Sequence, residues 1–147
     1  MALVDRVALV SSSPLFEMLS NQELEDVCAL LTPRHLAAGA VIFAEGSLGD
    51  GLYVIESGEV EVFHSGSLEP IATLSAGECF GEMALVDKEY RSATVRARTD
   101  VQLLHLSPEA LAQFRKVQKD GFGFLVMNIA RMLSVRLREA NLRSSQR

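Results

Sequence analysis

A mainly β domain, a sandwich or barrel of short strands flanked by helices, follows from three observations. Eight of the ten glycines lie between Gly39 and Gly81, punctuating short runs rich in strand-forming residues. Many short strands at regular spacing imply a sandwich or barrel rather than a parallel sheet. Serine–proline and serine–glutamate helix starts stand outside that region, and the C-terminal stretch repeats apolar residues at spacings of three and four.

At the N-terminal end, Ser11-Ser12-Ser13-Pro14 reads as a helix start, with Pro14 at the first helical position. Leu15, Phe16, Met18 and Leu19 give that segment an apolar side. Ser20-Asn21-Gln22-Glu23 fits a capping box, in which serine and glutamate satisfy each other's backbone donors. Leu24, Val27, Cys28 and Leu31 then share a helical face, and Pro33 ends that helix. Strands are expected at residues 40–44, 52–55, 59–63 and 71–74, then at 93–98 and 101–106 around Thr99-Asp100. Glu59-Val60-Glu61-Val62 alternates, so one face should be buried and one wet. Ser57-Gly58 reads as a hairpin turn. Ser107-Pro108-Glu109 supplies an N-cap, a first-position proline and a first-turn acid, with Leu111 and Phe114 as the apolar face. Asp120-Gly121 interrupts that helix, and a last one should span about 122–141. Its stripe is Phe122, Val126, Ile129, Leu133, Leu137 and Ala140. Leu125, Met127, Met132 and Val135 make it apolar over more than one stripe. One stripe can pack on the β region. A second calls for another partner, and a symmetric copy is the simplest, so a homodimer through this helix is expected.

The chain has 147 residues, 48% hydrophobic and 22% charged, which suits one globular domain over 1–147. No membrane span or signal peptide is read in it, and a cytoplasmic location is expected. Cys28 and Cys79 read as small core residues rather than a disulfide or metal site. The net charge of −5 divides unevenly: residues 121–147 hold five arginines and one acid, leaving −9 for the rest. The basic end reads as a solvated helix face.

One stretch concentrates anion chemistry: Phe80-Gly81-Glu82-Met83-Ala84-Leu85-Val86-Asp87-Lys88-Glu89-Tyr90-Arg91-Ser92-Ala93-Thr94-Val95. Gly81 lets the backbone approach a ligand closely. Residues 82–85 can form a short helical turn whose free N–H groups point at an anion. Arg91 can fork its guanidinium against two oxygens. A carboxylate at Glu82 cannot bind phosphate, so it points to a second polar group on the same ligand, such as a sugar hydroxyl. The plainer reading is a structural Glu82–Arg91 ion pair.

This stretch resembles the phosphate-binding cassette of cyclic-nucleotide-binding domains, found in catabolite-activator-like regulators, kinase regulatory subunits and gated channels. The family pattern is a hydrophobic residue, Gly-Glu-x-Ala-Leu, a short spacer, then Arg-(Ser/Thr/Ala)-Ala-x-Val, and every fixed position is present. The upstream run from Ile42-Phe43-Ala44-Glu45-Gly46 through Gly49-Asp50-Gly51-Leu52-Tyr53 to Ser57-Gly58 is similar to a second family motif. It departs at Phe43, where smaller branched residues are usual, and at Ser47, with neither departure expected to touch the phosphate contacts. Tyr90 stands where many relatives have proline.

The resemblance implies an eight-stranded double-stranded β-helix, a jelly-roll-like β-roll over about 34–106, with N-terminal helices and a C-terminal helix pair over about 107–143. It implies a cyclic-nucleotide site at Phe80, Gly81, Glu82, Met83, Ala84, Arg91 and Ser92. Arg91 would neutralise the cyclic phosphate, backbone N–H groups of 81–84 and Ser92 would bind it, and Glu82 would accept from the ribose 2′-hydroxyl. The ligand expected is cAMP, with cGMP the alternative, and no cofactor or metal. Arg136 and Asn141 are polar candidates for base contacts, though a solvated helix face explains each.

A cupin-type enzyme would need clustered histidines, whereas His35, His64 and His105 are scattered. Neither a Gly-x-Ser-x-Gly nor a Walker sequence is present, so no catalysis is expected. Two cysteines cannot supply four ligands to an iron–sulfur cluster. Six residues after Asn141 are too few for a helix-turn-helix, so this chain is not expected to read DNA directly. The reading is a cyclic-nucleotide sensor that signals to an unidentified effector through its C-terminal helix. The alternatives are the sensor part of a catabolite-activator-type transcription regulator, or a β-roll interaction module that no longer binds nucleotide.

Overall fold

Two four-stranded antiparallel sheets form the centre of the computed structural model, which describes residues 3–82 and 90–145. One sheet has the order β1 (Thr32–Leu36), β8 (Val101–Leu106), β3 (Leu52–Ser57), β6 (Cys79–Phe80). The other has β2 (Val41–Phe43), β7 (Thr94–Ala97), β4 (Val60–Phe63), β5 (Ala72–Leu74). Eight strands in two sheets make the β-roll that the family resemblance implies.

Two strands escape the sequence pattern. In β1, Thr-Pro-Arg-His-Leu has four exposed residues and no apolar alternation. Pro33 therefore does not stop a helix but occupies an edge strand, where a missing N–H donor is tolerated. The preceding helix has already ended at Ala29, with the Leu30 N–H donating to the Val27 carbonyl at 3.0 Å. At two residues, β6 is too short to show a period. Nor is Ser57-Gly58 a hairpin turn: it carries the chain from β3 in one sheet to β4 in the other. Gly58 has φ +90° there, and a β-carbon on it would collide with the Asp100 carbonyl oxygen of the neighbouring crossover.

The helices follow their caps. Leu3–Ser11 forms α1, which the sequence reading did not anticipate. Pro14–Phe16 is a single 3-10 turn, capped by the Ser13 hydroxyl accepting from the Leu15 N–H, and it buries Leu15 and Phe16. Met18, expected on its apolar side, is exposed at φ 74°. The expected capping box opens α2 (Asn21–Ala29). Ser107 caps α3 (Pro108–Val117), with Leu111 and Phe114 buried. The break before the last helix falls at Gln118, so Asp120 and Gly121 lie in the first turn of α4 (Lys119–Ser145).

Two cores result. Tyr53, Ile55, Val60, Phe80, Val95, Ala97, Val101 and Leu103 fill the space between the sheets. Leu52, Val54, Leu104 and Leu106 point the other way and join α1, α2, α3 and α4 around Phe16, Val27, Phe114, Leu125 and Ile129. Cys28 belongs to this second core, and among the described residues no disulfide joins it to Cys79. Burial pushes the Cys28 thiol up to about 11, against a smaller opposing pull from Arg6. The packed side of α4 is set by Leu125, Asn128 and Ile129; Val126 and Leu137, expected on the packing stripe, are exposed. Asn128 is buried and donates from Nδ2 to the carbonyls of Leu15 and Glu17, both at 2.8 Å, tying α4 to the N-terminal turn. Among the described residues no helix is long and apolar enough to cross a membrane.

Candidate functional site

Arg91 enters the site from a paired backbone. Its N–H donates to the Ser47 carbonyl at 2.7 Å, its carbonyl accepts from the Gly46 N–H at 2.8 Å, and Tyr90 bridges Leu48 beside it. This pairing fixes where the side chain starts. The side chain then runs inward, with only 7% of the residue exposed.

Burying a cation without partners is costly, and three acceptors meet this one. Nη2 donates to Asp50 Oδ1 and to the Gly51 carbonyl, each at 2.7 Å, and Nη1 donates to the Gly81 carbonyl at 3.2 Å. The Phe43 ring lies against it, 4.0 Å from Cζ to the ring centroid. A cation on a desolvated aromatic face gains about 0.5–2 kcal/mol. Phe43, a departure from the family pattern expected to leave the phosphate contacts alone, thus touches the very group that would make them. Nε is buried and has no hydrogen-bond partner among the described residues.

Asp50 is the carboxylate that holds the guanidinium, and the sequence reading did not single it out. Burial raises its pKa, but hydrogen bonds from Tyr53 and Arg91 and the electrostatic pull of His105 and Arg91 outweigh that, leaving it below the ordinary 3.8. The Tyr53 hydroxyl donates to Oδ2 at 2.8 Å. Burial first, then its bond to Asp50 and the charge there, push the Tyr53 phenol up to about 12, so it remains a donor at neutral pH. Asp50 sits between two glycines in a turn, a context with no periodicity to mark it. Only the fold, which brings residues 50 and 91 together, reveals its role.

The predicted site residues separate into groups. Gly81 and Arg91 are in contact: Gly81 has φ +79°, and a β-carbon on it would lie 2.7 Å from Arg91 Nη1. Only glycine allows both that backbone and that approach. Glu82 is buried, next in chain to this contact. The Phe80 ring stacks on Tyr53 at 5.2 Å and 11° and belongs to the inter-sheet core, so any ligand contact it makes is through its main chain. Ser92 is exposed at the start of the segment leading into β7. Met83 and Ala84 lie outside the described residues. Of the two base-contact candidates, Asn141 is exposed on α4, and the Arg136 side chain lies outside what is described. Among the described residues no cluster of three or more His, Cys, Asp or Glu side chains is placed to hold a metal ion.

Comparison with known proteins places this geometry. The family model for the cyclic nucleotide-binding domain matches residues 33–118, a span containing Phe43, Asp50, Tyr53, Gly81, Glu82, Arg91 and His105. The chain is 39% identical over 137 residues to the cyclic AMP receptor protein of Thermus thermophilus, covering 90% of this chain and 61% of that protein. It is 38% identical over 99 residues to the cAMP-dependent protein kinase regulatory subunit of Emericella nidulans, covering 67% of this chain and 24% of that one. It thus spans less than two thirds of either relative. Among solved structures, the N-terminal domain of a transcriptional regulator from Streptomyces coelicolor superposes with a TM-score of 0.79 at 32% identity, over 90% of this chain and 94% of that domain. With the matched model covering more than half of its length and all of the site, the chain belongs to the cyclic nucleotide-binding domain family.

Proposed function

We propose that the domain is a non-catalytic sensor that binds cAMP in preference to cGMP, with the ligand's cyclic phosphate on Arg91. The observation that carries this reading is the Arg91 guanidinium: it is buried, fixed by Asp50, Gly51 and Gly81, and retains at Nε a donor with no partner among the described residues. A preorganised cation with a donor to spare suits a small anion, because little ordering remains to be done on binding. Glu82 accepts from the ribose 2′-hydroxyl, and backbone N–H groups of residues 81–84 with the Ser92 amide and hydroxyl share the phosphate. The relatives whose names refer to cAMP favour that nucleotide.

The output is carried by α4, which shifts to cover the base when the phosphate draws the 81–91 connection inward. Met127, Val135, Leu137 and Leu142 leave apolar surface exposed along this helix. A second copy covers that surface in a homodimer, and the moving dimer face is what an effector protein reads. Sedimentation equilibrium showing a monomer with and without nucleotide would remove the dimer, and an unmoved α4 in a nucleotide-bound structure would remove the movement.

Titration calorimetry with cAMP and cGMP, on wild type and Arg91→Ala, tests the binding reading. Charge-assisted hydrogen bonds worth roughly 1.5–3 kcal/mol each make the expected loss in Arg91→Ala more than tenfold. No heat with either nucleotide in wild type would leave a β-roll interaction module. A second reading, the sensing part of a transcription regulator, is favoured by the match along 94% of the Streptomyces domain. A gel-shift assay of the native protein on its own upstream DNA, with and without cAMP, tests it.

A further inference from the structure

We propose that His105 and Tyr53 are positioning residues for the nucleotide site, acting on Arg91 through the Asp50–Gly51 turn. The proposal rests on the reading of Arg91 as the phosphate-binding group. Neither residue touches the guanidinium in the contacts described above, and their effect is on where its acceptors stand.

His105 is paired with Tyr53 across β8 and β3, and the two rings stack at 4.5 Å and 17°. The imidazole is buried, 5% exposed, in a strand whose neighbours Leu103, Leu104 and Leu106 are all apolar. A polar ring in such a place has to satisfy its nitrogens, and Nε2 lies 2.7 Å from the Asp50 carbonyl oxygen. A carbonyl only accepts, so Nε2 carries the proton and His105 is the donor. The same turn is held a second time, through its side chain, by the Tyr53 hydroxyl on Asp50 Oδ2 at 2.8 Å. What the turn still offers is Asp50 Oδ1 and the Gly51 carbonyl, and both accept from Arg91 Nη2.

The turn also lies directly on the end of β8. Gly51 has φ +110°, and a β-carbon there would collide with the carbonyl oxygen of Leu106, the residue after His105. Backbone contact sets how closely the turn approaches β8, while the two hydrogen bonds set its rotation. Remove the His105 donor and the Asp50 carbonyl loses its partner, freeing the peptide to turn and carrying both Arg91 acceptors with it. A hydrophobic side chain at position 105 would fill the same core space as its neighbours, so packing alone gives no reason for a histidine.

The test uses His105→Phe, which keeps an aromatic ring on Tyr53 but removes the donor, and His105→Gln, which keeps an N–H of similar reach. Tyr53→Phe removes the second hydrogen bond alone. One net hydrogen bond corresponds to about two- to tenfold in affinity. His105→Phe and Tyr53→Phe should each weaken cAMP binding by that factor, and His105→Gln should stay within about twofold of wild type. The second readout needs no ligand: the Arg91 Nε–H resonance of the free protein should shift or broaden in both phenylalanine variants and hold in His105→Gln. Unchanged affinity and an unchanged Arg91 resonance in a folded His105→Phe would overturn the proposal, as would a His105→Gln as weak as His105→Phe. If His105→Phe does not fold, His105→Gln and Tyr53→Phe decide. If wild type binds neither nucleotide, the binding reading fails, while the Arg91 resonance still judges the positioning role.

Discussion

Replacing Gly81 by alanine separates backbone strain from a direct push on Arg91. Gly81 has φ +79°, in the left-handed region, where an L side chain costs about 1–2 kcal/mol. Gly46 has nearly the same φ, +86°, with nothing within 4 Å of a β-carbon, so Gly46→Ala measures the positive-φ strain without a contact. At Gly81 the β-carbon would also stand 2.7 Å from Arg91 Nη1 and 3.2 Å from the Gly51 carbonyl oxygen. Ordinary contact starts at 3.4 Å, so Nη1 has to retreat by about 0.7 Å. The end of a long side chain usually yields cheaply. This one is pinned by two 2.7 Å hydrogen bonds from Nη2 and by the Phe43 face. Displacing it weakens charge-assisted bonds worth roughly 1.5–3 kcal/mol each. Urea unfolding should therefore show Gly81→Ala about 1–3 kcal/mol less stable than Gly46→Ala. Calorimetry should show cAMP binding weakened more than tenfold in Gly81→Ala and within about twofold of wild type in Gly46→Ala. Equal losses of stability in the two variants, with wild-type affinity in Gly81→Ala, would refute a fixed guanidinium.

Three further substitutions probe the same framework. Phe43→Leu removes the ring under Arg91 and its contacts with Tyr53 and Phe80, and should cost about 1–3 kcal/mol in urea unfolding, with cAMP affinity lowered about two- to tenfold. Asp50 has a folded pKa below 3.8, so its contribution to stability is present above the unfolded value and lost as pH falls through the folded one. The stability difference between wild type and Asp50→Asn should accordingly be constant from pH 7 to about pH 5 and shrink only below about pH 4, as read from urea unfolding at each pH. Asn128→Ala leaves the carbonyls of Leu15 and Glu17 without their donor and should lower stability by about 1–3 kcal/mol, measured by thermal unfolding, with nucleotide affinity little changed.

Elements whose signals are local were legible in the sequence. The capping box at Ser20 and Glu23 and the Ser107-Pro108 start act within three residues, and both stand where expected. The strand 101–106 is legible with its full bounds because four of its six residues are Val or Leu and Thr99-Asp100 marks its start. What escaped depends on partners distant in sequence. Edge strand β1 is held by register with β8, seventy or so residues away, and shows no apolar pattern of its own. The stripe along α4 holds at Phe122, Ile129 and Leu133, which pack on the helical core, but it omits Asn128, which counts as polar in sequence yet is buried with two carbonyl acceptors more than a hundred residues earlier. In the site, Gly81, Glu82 and Arg91 stand within one motif. Phe43, Tyr53 and His105 come from three different strands and Asp50 from the segment before β3, and they share no spacing.

That distribution has a physical basis in β3 and β8. Most strands of a two-layer roll bury one face, but these two bury both, with Leu52, Val54, Leu104 and Leu106 against the helices and Tyr53, Ile55, Val101, Leu103 and His105 toward the roll interior. A strand packed on both sides has little freedom to tilt or slide, because either motion opens a cavity in one of the cores. Tyr53 and His105 therefore stand on a more rigid base than any loop residue could have, and they hold the turn that orients Arg91. The glycine-flanked turn itself has the opposite character, since Gly51 tolerates φ +110° and a backbone approach that excludes a side chain. Precision at Arg91 thus comes from a glycine-flanked turn clamped onto a pair of strands packed on both faces. Substitutions that leave the motif of residues 80–95 untouched but alter that clamp should disturb the site as surely as changes within the motif.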